Sequence, residues 1–258
     1  MNNEGFELKL TGFIVRNAAF TWSVTTAMMH NKNKIVQISQ ALKDAQKAIE
    51  NSTGATPSTL FKEGYSSNSI WVVPSLGIDP STGKELYLTK DGQHTYTWDP
   101  ANLAAVGSTD PKIQGNLSTM VRYKDLSLNM SFGYRSGGQL YNQTLINKVE
   151  NADYTYNVDA RVYNDRWRAP GDLVEFKGLM VTQATSKTSR FVKDENTITC
   201  QNINMQYNNG YLSKKLGVEA LTISLSVADA FYFSTVKQER GIQYPFSRQF
   251  SLSINTTF

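Results

Sequence analysis

The chain has 258 residues, a formal net charge of +4 and 40% hydrophobic residues. This hydrophobic share lies below the ~45–50% of soluble globular domains, and the basic residues form no runs, which argues against nucleic acid as a partner. One cysteine and two histidines give no disulfide framework and too few ligands for a metal. We therefore predict no metal, no cofactor and no catalytic residue. No run reaches the ~20 apolar residues of a membrane helix.

Seven segments alternate apolar and polar residues with the period of a β-strand. In chain order they are residues 4–15, 18–30, 112–124, 125–135, 194–207, 218–230 and 245–258. In the first segment, Phe6, Leu8, Leu10 and Ile14 are predicted to share one face. None of the seven prolines interrupts a segment, as expected because proline cannot donate to a sheet ladder. The pattern predicts an all-β chain.

The last segment has the clearest alternation. Its odd-numbered positions hold serine, glutamine, asparagine and threonine, and its even-numbered positions are largely apolar: Phe246, Phe250, Leu252, Ile254 and Phe258. A strand of a membrane barrel has one apolar face toward lipid and one polar face toward a wet lumen. This segment is typical of such a strand.

The connections between the seven segments alternate strictly between short and long. The short ones lie at 16–17, 124–125 and 208–217, and the long ones at 31–111, 137–193 and 231–244. Loops beyond ~15 residues are uncommon in compact soluble domains, whereas membrane barrels have short turns on one rim and long extracellular loops on the other. We therefore predict an antiparallel transmembrane β-barrel.

Aromatic residues cluster near both ends of the predicted strands, as in the girdles of membrane barrels. At the short-turn rim these are Tyr123, Tyr207 and Phe258, and at the long-loop rim Tyr134, Phe231, Phe233, Tyr244 and Phe246. The general preference of Tyr and Phe for strands is the alternative explanation.

The long loops contain weaker signals of their own. Apolar residues at helical spacing predict a helix over 35–51, and 142–150 is a candidate helical turn. Short strands are predicted at 70–76, 84–89 and 93–98. Asp79-Pro-Ser-Thr-Gly83 lacks the spaced carboxylates of a calcium loop and is interpreted as an aspartate-capped turn.

Several loop sequences resemble the C-terminal part of SusC/RagA-type TonB-dependent outer-membrane transporters. Two of them are Gly64-Tyr-Ser-Ser-Asn-Ser-Ile-Trp71 and Asp165-Arg-Trp-Arg-Ala-Pro-Gly171. The other matching stretches are 76–87, 95–100, 106–112, 157–161, 188–192 and 240–248. Each stretch is short, but they occur in order over nearly the whole chain.

This resemblance implies a 22-stranded barrel in the cell outer membrane, of which residues 1–258 supply the last seven strands. It implies import of oligosaccharides or peptides, a SusD-like surface lipoprotein as a lid, and energy from the TonB complex, and not an enzyme. The plug, the TonB-contacting segment and the earlier strands have no counterpart, so the chain is expected to be a fragment. The family's assembly signal falls on Phe250, Leu252, Ile254 and Phe258.

Aromatic side chains in the long loops are the candidate ligand-binding residues, because aromatic faces stack on sugar rings and on apolar peptide side chains. They are Trp71, Tyr87, Trp98, Tyr141 and Trp167. Arg168, with Arg161 and Arg166, is a candidate partner for acidic groups of a ligand. The alternative for each of these residues is a structural role in the core of its own loop.

Two other classes of protein compete with the transporter. A soluble secreted β-sandwich could bind glycans through the same loop aromatics. A secreted glycan-cleaving enzyme would need two carboxylates across a cleft, and no pair of this kind is identifiable. The strict alternation of loop lengths favours the transporter.

Overall fold

The computed structural model describes residues 1–237 and 247–258, and its main element is a seven-stranded sheet. Each strand pairs antiparallel with the sheet strand that precedes or follows it in the chain. The strands are β1 (Asn2–Arg16), β2 (Phe20–Lys34), β3 (Ile113–Tyr123), β4 (Leu126–Tyr141), β5 (Val192–Asn208), β6 (Ala220–Ser234) and β7 (Gln249–Thr257). All seven predicted strands are therefore confirmed. Pro245 and Phe246, predicted to begin the last strand, lie outside the described residues.

The first strand contains an irregularity that the sequence pattern did not predict. The β1–β2 register shifts between Phe13 and Val15, which pair with Ser23 and Trp22. A bulge of this kind inserts one extra residue, here Ile14, and reverses the parity beyond it. Beyond the bulge, Val15 continues the apolar face opposite Trp22.

The register aligns the apolar positions of all seven strands on one face of the sheet. One row runs through Leu252, Leu225, Met205, Leu128 and Val121. On β7 the apolar side chains are 62–71% exposed, and no second sheet covers them in the described part of the chain. A sandwich would bury this face, so the β-sandwich alternative does not describe this fold. The opposite face is mostly serine, threonine and asparagine, with a Ser224–Ser253 hydroxyl pair 2.7 Å apart.

The apolar band ends in aromatic residues at both rims. Near the short turns, Phe20 pairs with Tyr123, and Leu126 pairs with Tyr207 on the neighbouring strand. At the other rim, Tyr134 pairs with Ile198, which pairs with Phe233. From Leu126 to Tyr134 the band covers about 26 Å along the strand. This is the arrangement of two interfacial girdles. Tyr244 and Phe246 lie outside the described residues.

The connections within the described residues alternate as predicted, and most of the third long connection, predicted at 231–244, lies outside them. Residues 17–19, 124–125 and 209–219 join strands at one rim, the last through helix α4 (Gly210–Leu216), whose predecessor Asn209 caps it by accepting from Leu212 N. Residues 35–112, called loop A, and 142–191, called loop B, join strands at the other rim. No helix within 1–237 or 247–258 is both long and apolar enough to cross a bilayer.

Loop A is a folded unit and not an irregular coil. It contains helix α1 (Gln40–Glu50), capped by Ser39, and five short strands. These strands are Ser69–Val72, Ser75–Ile78, Glu85–Leu88, His94–Thr95 and Ala104–Ser108. The predicted helix over 35–51 starts later than expected, because Ile35 instead makes strand-like backbone bonds with Gly64 and Tyr65.

Loop B contains a turn of helix, α2 (Gln143–Leu145), that continues as a π-helix over Ile146–Glu150, where a helical turn was predicted. Helix α3 (Arg161–Asn164) follows. Two small hydrophobic cores hold the loops together. The first contains Leu145, Ile146, Val149, Val162, Phe176 and Phe191, and the second Leu60, Trp71, Val73, Tyr87 and Leu103.

Candidate functional site

Loops A and B are joined to each other above the sheet. Val73 of loop A donates its N–H to the carbonyl of Lys187 in loop B, and Ser189 N–H donates back to the carbonyl of Val73 (3.3 and 3.0 Å). Val73 and Thr188 thus form a bridge between segments more than 100 residues apart. Both residues are fully buried, so the two loops share one interior.

A buried ion triad lies at this junction. Arg190 Nη2 donates to Glu85 Oε2 of loop A and to Glu150 Oε1 of loop B, both at 2.7 Å. The three side chains are at most 7% exposed. Thr188 Oγ1 donates to the other oxygen of Glu85 (2.6 Å), and Thr185 Oγ1 donates to Glu150 (2.9 Å). Removing one member of such a group leaves an uncompensated charge in the interior.

The triad changes the proton affinities of Glu85 and Arg190. Burial favours a higher pKa for Glu85, but hydrogen bonds and charge from Arg190, with Thr188, outweigh it, so the pKa of Glu85 lies below its ordinary value. Burial also favours a lower pKa for Arg190, and the two carboxylates outweigh it, so the pKa of Arg190 is raised. Glu85 and Arg190 are therefore charged near neutral pH. The triad is suited to fixing the loops.

Three of the candidate ligand-binding aromatics lie in the core of loop A. Trp71 is 3% exposed and packs edge-on against Tyr65, with ring centroids 4.9 Å apart. The Tyr87 hydroxyl donates to Glu85 Oε2 (3.1 Å), and the half-buried Trp98 donates Nε1–H to the carbonyl of Lys187 (3.0 Å). These side chains contact other residues of the loops, which favours the structural role that is the alternative to ligand binding. A ligand-binding role for these three residues stays a prediction.

Trp167 fixes a turn. Its Nε1–H donates to the carbonyl of Pro80 (2.7 Å), and a Cβ added to Gly83 would lie only 2.4 Å from its ring. The predicted aspartate-capped turn is confirmed, because the Asp79 carboxylate accepts from Ser81 N–H (2.9 Å). The Tyr96 hydroxyl, followed by Ser81, holds the pKa of Asp79 well below its ordinary value. Trp167 thus joins loop B to this turn of loop A.

The remaining candidates, Tyr141, Arg168 and Arg166, differ in their exposure. Tyr141 at the end of β4 is half-buried, and its hydroxyl donates to the carbonyl of Ala55 (2.8 Å). Arg168 is exposed, with its guanidinium 4.4 Å from the centre of the Tyr163 ring and Nη2 donating to the Tyr163 carbonyl (2.5 Å). Arg168 and Tyr163 together present a charged group and an aromatic face to solvent. Arg166 is buried and donates to the backbone carbonyls of Val149, Glu150 and Lys177.

Sequence reasoning missed a group of exposed apolar side chains in loop B. They are Tyr154, Tyr156, Tyr163, Leu173 and Met180. Leu173 and Met180 are 87% and 92% exposed. Their only sequence signal is that the segment is rich in tyrosine and lacks the helical or alternating period that would bury these residues.

These features define the structural class of the chain, which is one wall of a membrane-type antiparallel β-barrel with folded loops at one rim. No protein-family profile matches the chain. Two curated relatives are similar in sequence, the TonB-dependent receptors P3 and P39 of Formosa agariphila (strain DSM 15362 / KCTC 12365 / LMG 23005 / KMM 3901 / M-2Alg 35-1). P3 is 23% identical over 226 residues, covering 81% of this chain and 22% of the receptor. P39 is 20% identical over 278 residues, covering 91% and 27%.

Solved structures give the same result for the fold. The RagAB peptide transporter superposes with a TM-score of 0.78 at 20% identity, over 99% of this chain and 29% of that one. The RagAB peptide importer in its closed-closed state gives 0.77 at 21% identity, again over 99% and 29%. The resemblance to TonB-dependent transporters of the SusC/RagA type is confirmed, and with it the outer-membrane localisation. The chain spans less than a third of the relatives that it matches.

Proposed function

We propose that the chain forms part of the barrel wall and the outer loops of an outer-membrane active transporter that imports oligosaccharides or peptides. The observation that carries this proposal is the continuous apolar face of a single sheet, exposed along its whole width. Seven strands leave two sheet edges open, and an unpaired backbone group in lipid costs several kcal/mol. The chain therefore functions with further strands that close the barrel, with 22 strands as the expected total and a plug connected to the TonB complex.

The substrate class is proposed from the loops and from the relatives. A peptide or an oligosaccharide is bound through hydrogen bonds and aromatic contacts at the loop surface. Arg168 stacked on Tyr163 offers both, and it is the accessible member of the candidate set. Trp71, Tyr87, Trp98, Tyr141 and Trp167 support that surface from within. The peptide named for RagAB makes a peptide the first substrate class to test.

Uptake measurements test the proposal. A strain that lacks the complete transporter should lose growth on one defined peptide or oligosaccharide mixture and regain it with the wild-type gene. Uptake should stop when the proton-motive force is collapsed, because TonB-linked transport consumes it. Unchanged uptake in the deletion strain for every peptide and glycan mixture supplied would contradict the proposed function.

The tyrosine-rich part of loop B is proposed to contact the SusD-like lipoprotein. Large apolar side chains exposed at a surface mark interaction sites when they occur together. The double substitution Leu173→Asp and Met180→Asp should reduce the lipoprotein that co-purifies with the transporter by more than tenfold, because interface contacts of this kind are worth ~1–2 kcal/mol each and each ~1.4 kcal/mol is tenfold in affinity. The amount of transporter in the outer membrane should not change.

A matched control is Val36→Asp, which adds a charge at an exposed apolar residue of loop A. It should leave co-purification at the wild-type level. Equal lipoprotein recovery from the double variant and from wild type would show that the lid contacts another surface.

The C-terminal strand provides a test of the barrel assignment. Phe258 is 89% exposed and follows β7 on the apolar parity of Phe250, Leu252 and Ile254. Deletion of Phe258 from the complete transporter should reduce its surface-labelled amount several-fold, because the assembly machinery is proposed to recognise this aromatic end. Replacement by tyrosine is the control and should preserve assembly. Wild-type surface labelling of the deletion would contradict the assembly role.

A further inference from the structure

A basic cavity of about 470 Å³ lies at the long-loop rim, between the end of β2 and loop A. Among its lining residues are His30, Lys32, Lys34 and Lys112, with Tyr65 of loop A on the opposite side. His30 Nδ1 is 2.6 Å from the carbonyl oxygen of Lys112. This contact holds the start of β3 against β2, so the four basic residues border one space.

Register places Lys32 and Lys34 on the membrane-facing side of the sheet. The β1–β2 pairing is regular from Val24 to Lys34, so Lys32 and Lys34 have the same parity as Val24 and Met28 of the apolar band. Directly below them the rings of Phe6 and His30 pack with centroids 5.7 Å apart. The lysines therefore continue the lipid-facing face of β2 beyond its apolar part.

The height of the lysines matches the lipid headgroups. Each two residues advance about 7 Å along a strand, or roughly 5 Å along the membrane normal at the usual barrel tilt. Lys32 and Lys34 thus lie about 5 and 10 Å above His30. The headgroup layer is about 5–8 Å thick on each side of the hydrocarbon. Measured from His30, Lys32 falls within this layer, and Lys34 lies just above it.

The charges of the cavity are available for an anion. No ion pair joins Lys32, Lys34 or Lys112 to a carboxylate within the described residues. Asp110 lines the cavity, but its oxygens accept from Ser66, Asn68 and Ser108. Glu4 pairs opposite Lys32 in the register and accepts from Asn2. Three ammonium groups therefore outnumber two carboxylates that already have partners.

We infer that this cavity binds the phosphate of an outer-leaflet lipid, with the acyl chains lying on the apolar band below Phe6 and Met28. A lysine ammonium forms charge-assisted hydrogen bonds with phosphate, and the Tyr65 hydroxyl is a further donor. The cavity borders the apolar band, which faces the bilayer. A lipid would place its acyl chains on this band, whereas a soluble anion would make no use of it. The inference rests on the membrane placement of the sheet and is independent of the imported substrate.

Native mass spectrometry of the complete transporter tests this inference. The protein is released from nanodiscs of phosphatidylcholine that contain a few per cent of phosphorylated lipid A, and in a second sample its dephosphorylated analogue. Wild type should retain the phosphorylated lipid, and the variant Lys32→Gln, Lys34→Gln, Lys112→Gln should retain about tenfold less. The control replaces Lys9, Lys90 and Lys148, which lie away from the cavity, by glutamine and should behave as wild type.

The result does not depend on the variant alone. If the triple variant fails to assemble, wild-type retention must still fall for the dephosphorylated lipid and in 0.5 M salt. Equal retention of the two lipids by wild type would overturn the inference, as would equal retention by the triple variant and wild type. Displacement of the lipid by millimolar inorganic phosphate would identify the free ion as the ligand and overturn the lipid assignment. Unchanged uptake in the lysine variant would leave the proposed transport function standing.

Discussion

Arginine in place of Leu252 should destabilise the complete barrel by about 2–4 kcal/mol, the cost of a lipid-facing arginine near the bilayer midplane. Leu252 is 70% exposed and pairs with Leu225, in the middle of the apolar band. It lies six residues before Phe258, roughly 15 Å above the short-turn rim at the usual strand rise and tilt. Urea unfolding in micelles and the amount of protein in the outer membrane measure the effect.

Ser251→Arg is the matched control. Ser251 is the neighbouring residue and pairs with Ser226 on the polar face. Because successive side chains point to opposite faces, the same charge one residue away should cost less than about 1 kcal/mol. Equal destabilisation by the two arginines would mean that β7 has no lipid-facing side.

Methionine in place of Arg190 should open the junction of loops A and B. The variant leaves Glu85 and Glu150 buried without their cation, and breaking a buried ion pair in this way costs about 3–5 kcal/mol. Hydrogen exchange in residues 73–75 and 187–189 should accelerate by two orders of magnitude or more, because local opening controls exchange. The strands should exchange as in wild type, because none of the triad side chains belongs to the sheet.

Lys193→Met provides the comparison. Lys193 pairs with Glu175 at 2.6 Å, but both side chains are about 40% or more exposed, and exposed pairs contribute only about 0–1 kcal/mol. Glu85→Gln and Glu150→Gln combined with Arg190→Met should recover much of the lost protection, since no buried carboxylate is then left without its cation. Failure of this recovery would show that the size of the arginine, and not its charge, supports the junction.

Acid should weaken the same junction. The folded pKa of Glu85 is depressed, so its stabilising contribution is complete above about pH 4.5 and is lost as the pH falls through the folded pKa. In the variant that carries all three substitutions above, this pH dependence should disappear.

The strands and their faces could be predicted from residues near each other in the sequence. Alternation over ten residues is a local property, and a face toward lipid must be apolar at every second position because lipid offers no hydrogen bonds. Two details escaped this reasoning. The bulge at Ile14 depends on pairing with β2, and the extension of β4 to Tyr141 depends on its partner strand β5.

The candidate site was harder to predict because loop residues acquire their environment from distant parts of the chain. Trp71 and Trp98 were chosen as candidates because they are large aromatic residues of the loops. In the structure the Trp71 ring packs against Tyr65, and the Trp98 Nε1–H donates to the carbonyl of Lys187. Both contacts are internal to the protein. The exposed Tyr156 and Met180 have no periodic signal. The ligand roles of all the candidate residues stay predictions.

The sequence by itself determined that the chain is a set of seven amphipathic antiparallel strands with alternating short and long connections. The reason is that a strand with one face in lipid must be apolar at every second residue, and that unpaired backbone N–H and C=O groups are excluded from lipid. Only the tertiary structure decided that loops A and B form one unit around Glu85, Glu150 and Arg190. The triad members lie up to 105 positions apart, and no local pattern specifies which distant charge will neutralise a buried one.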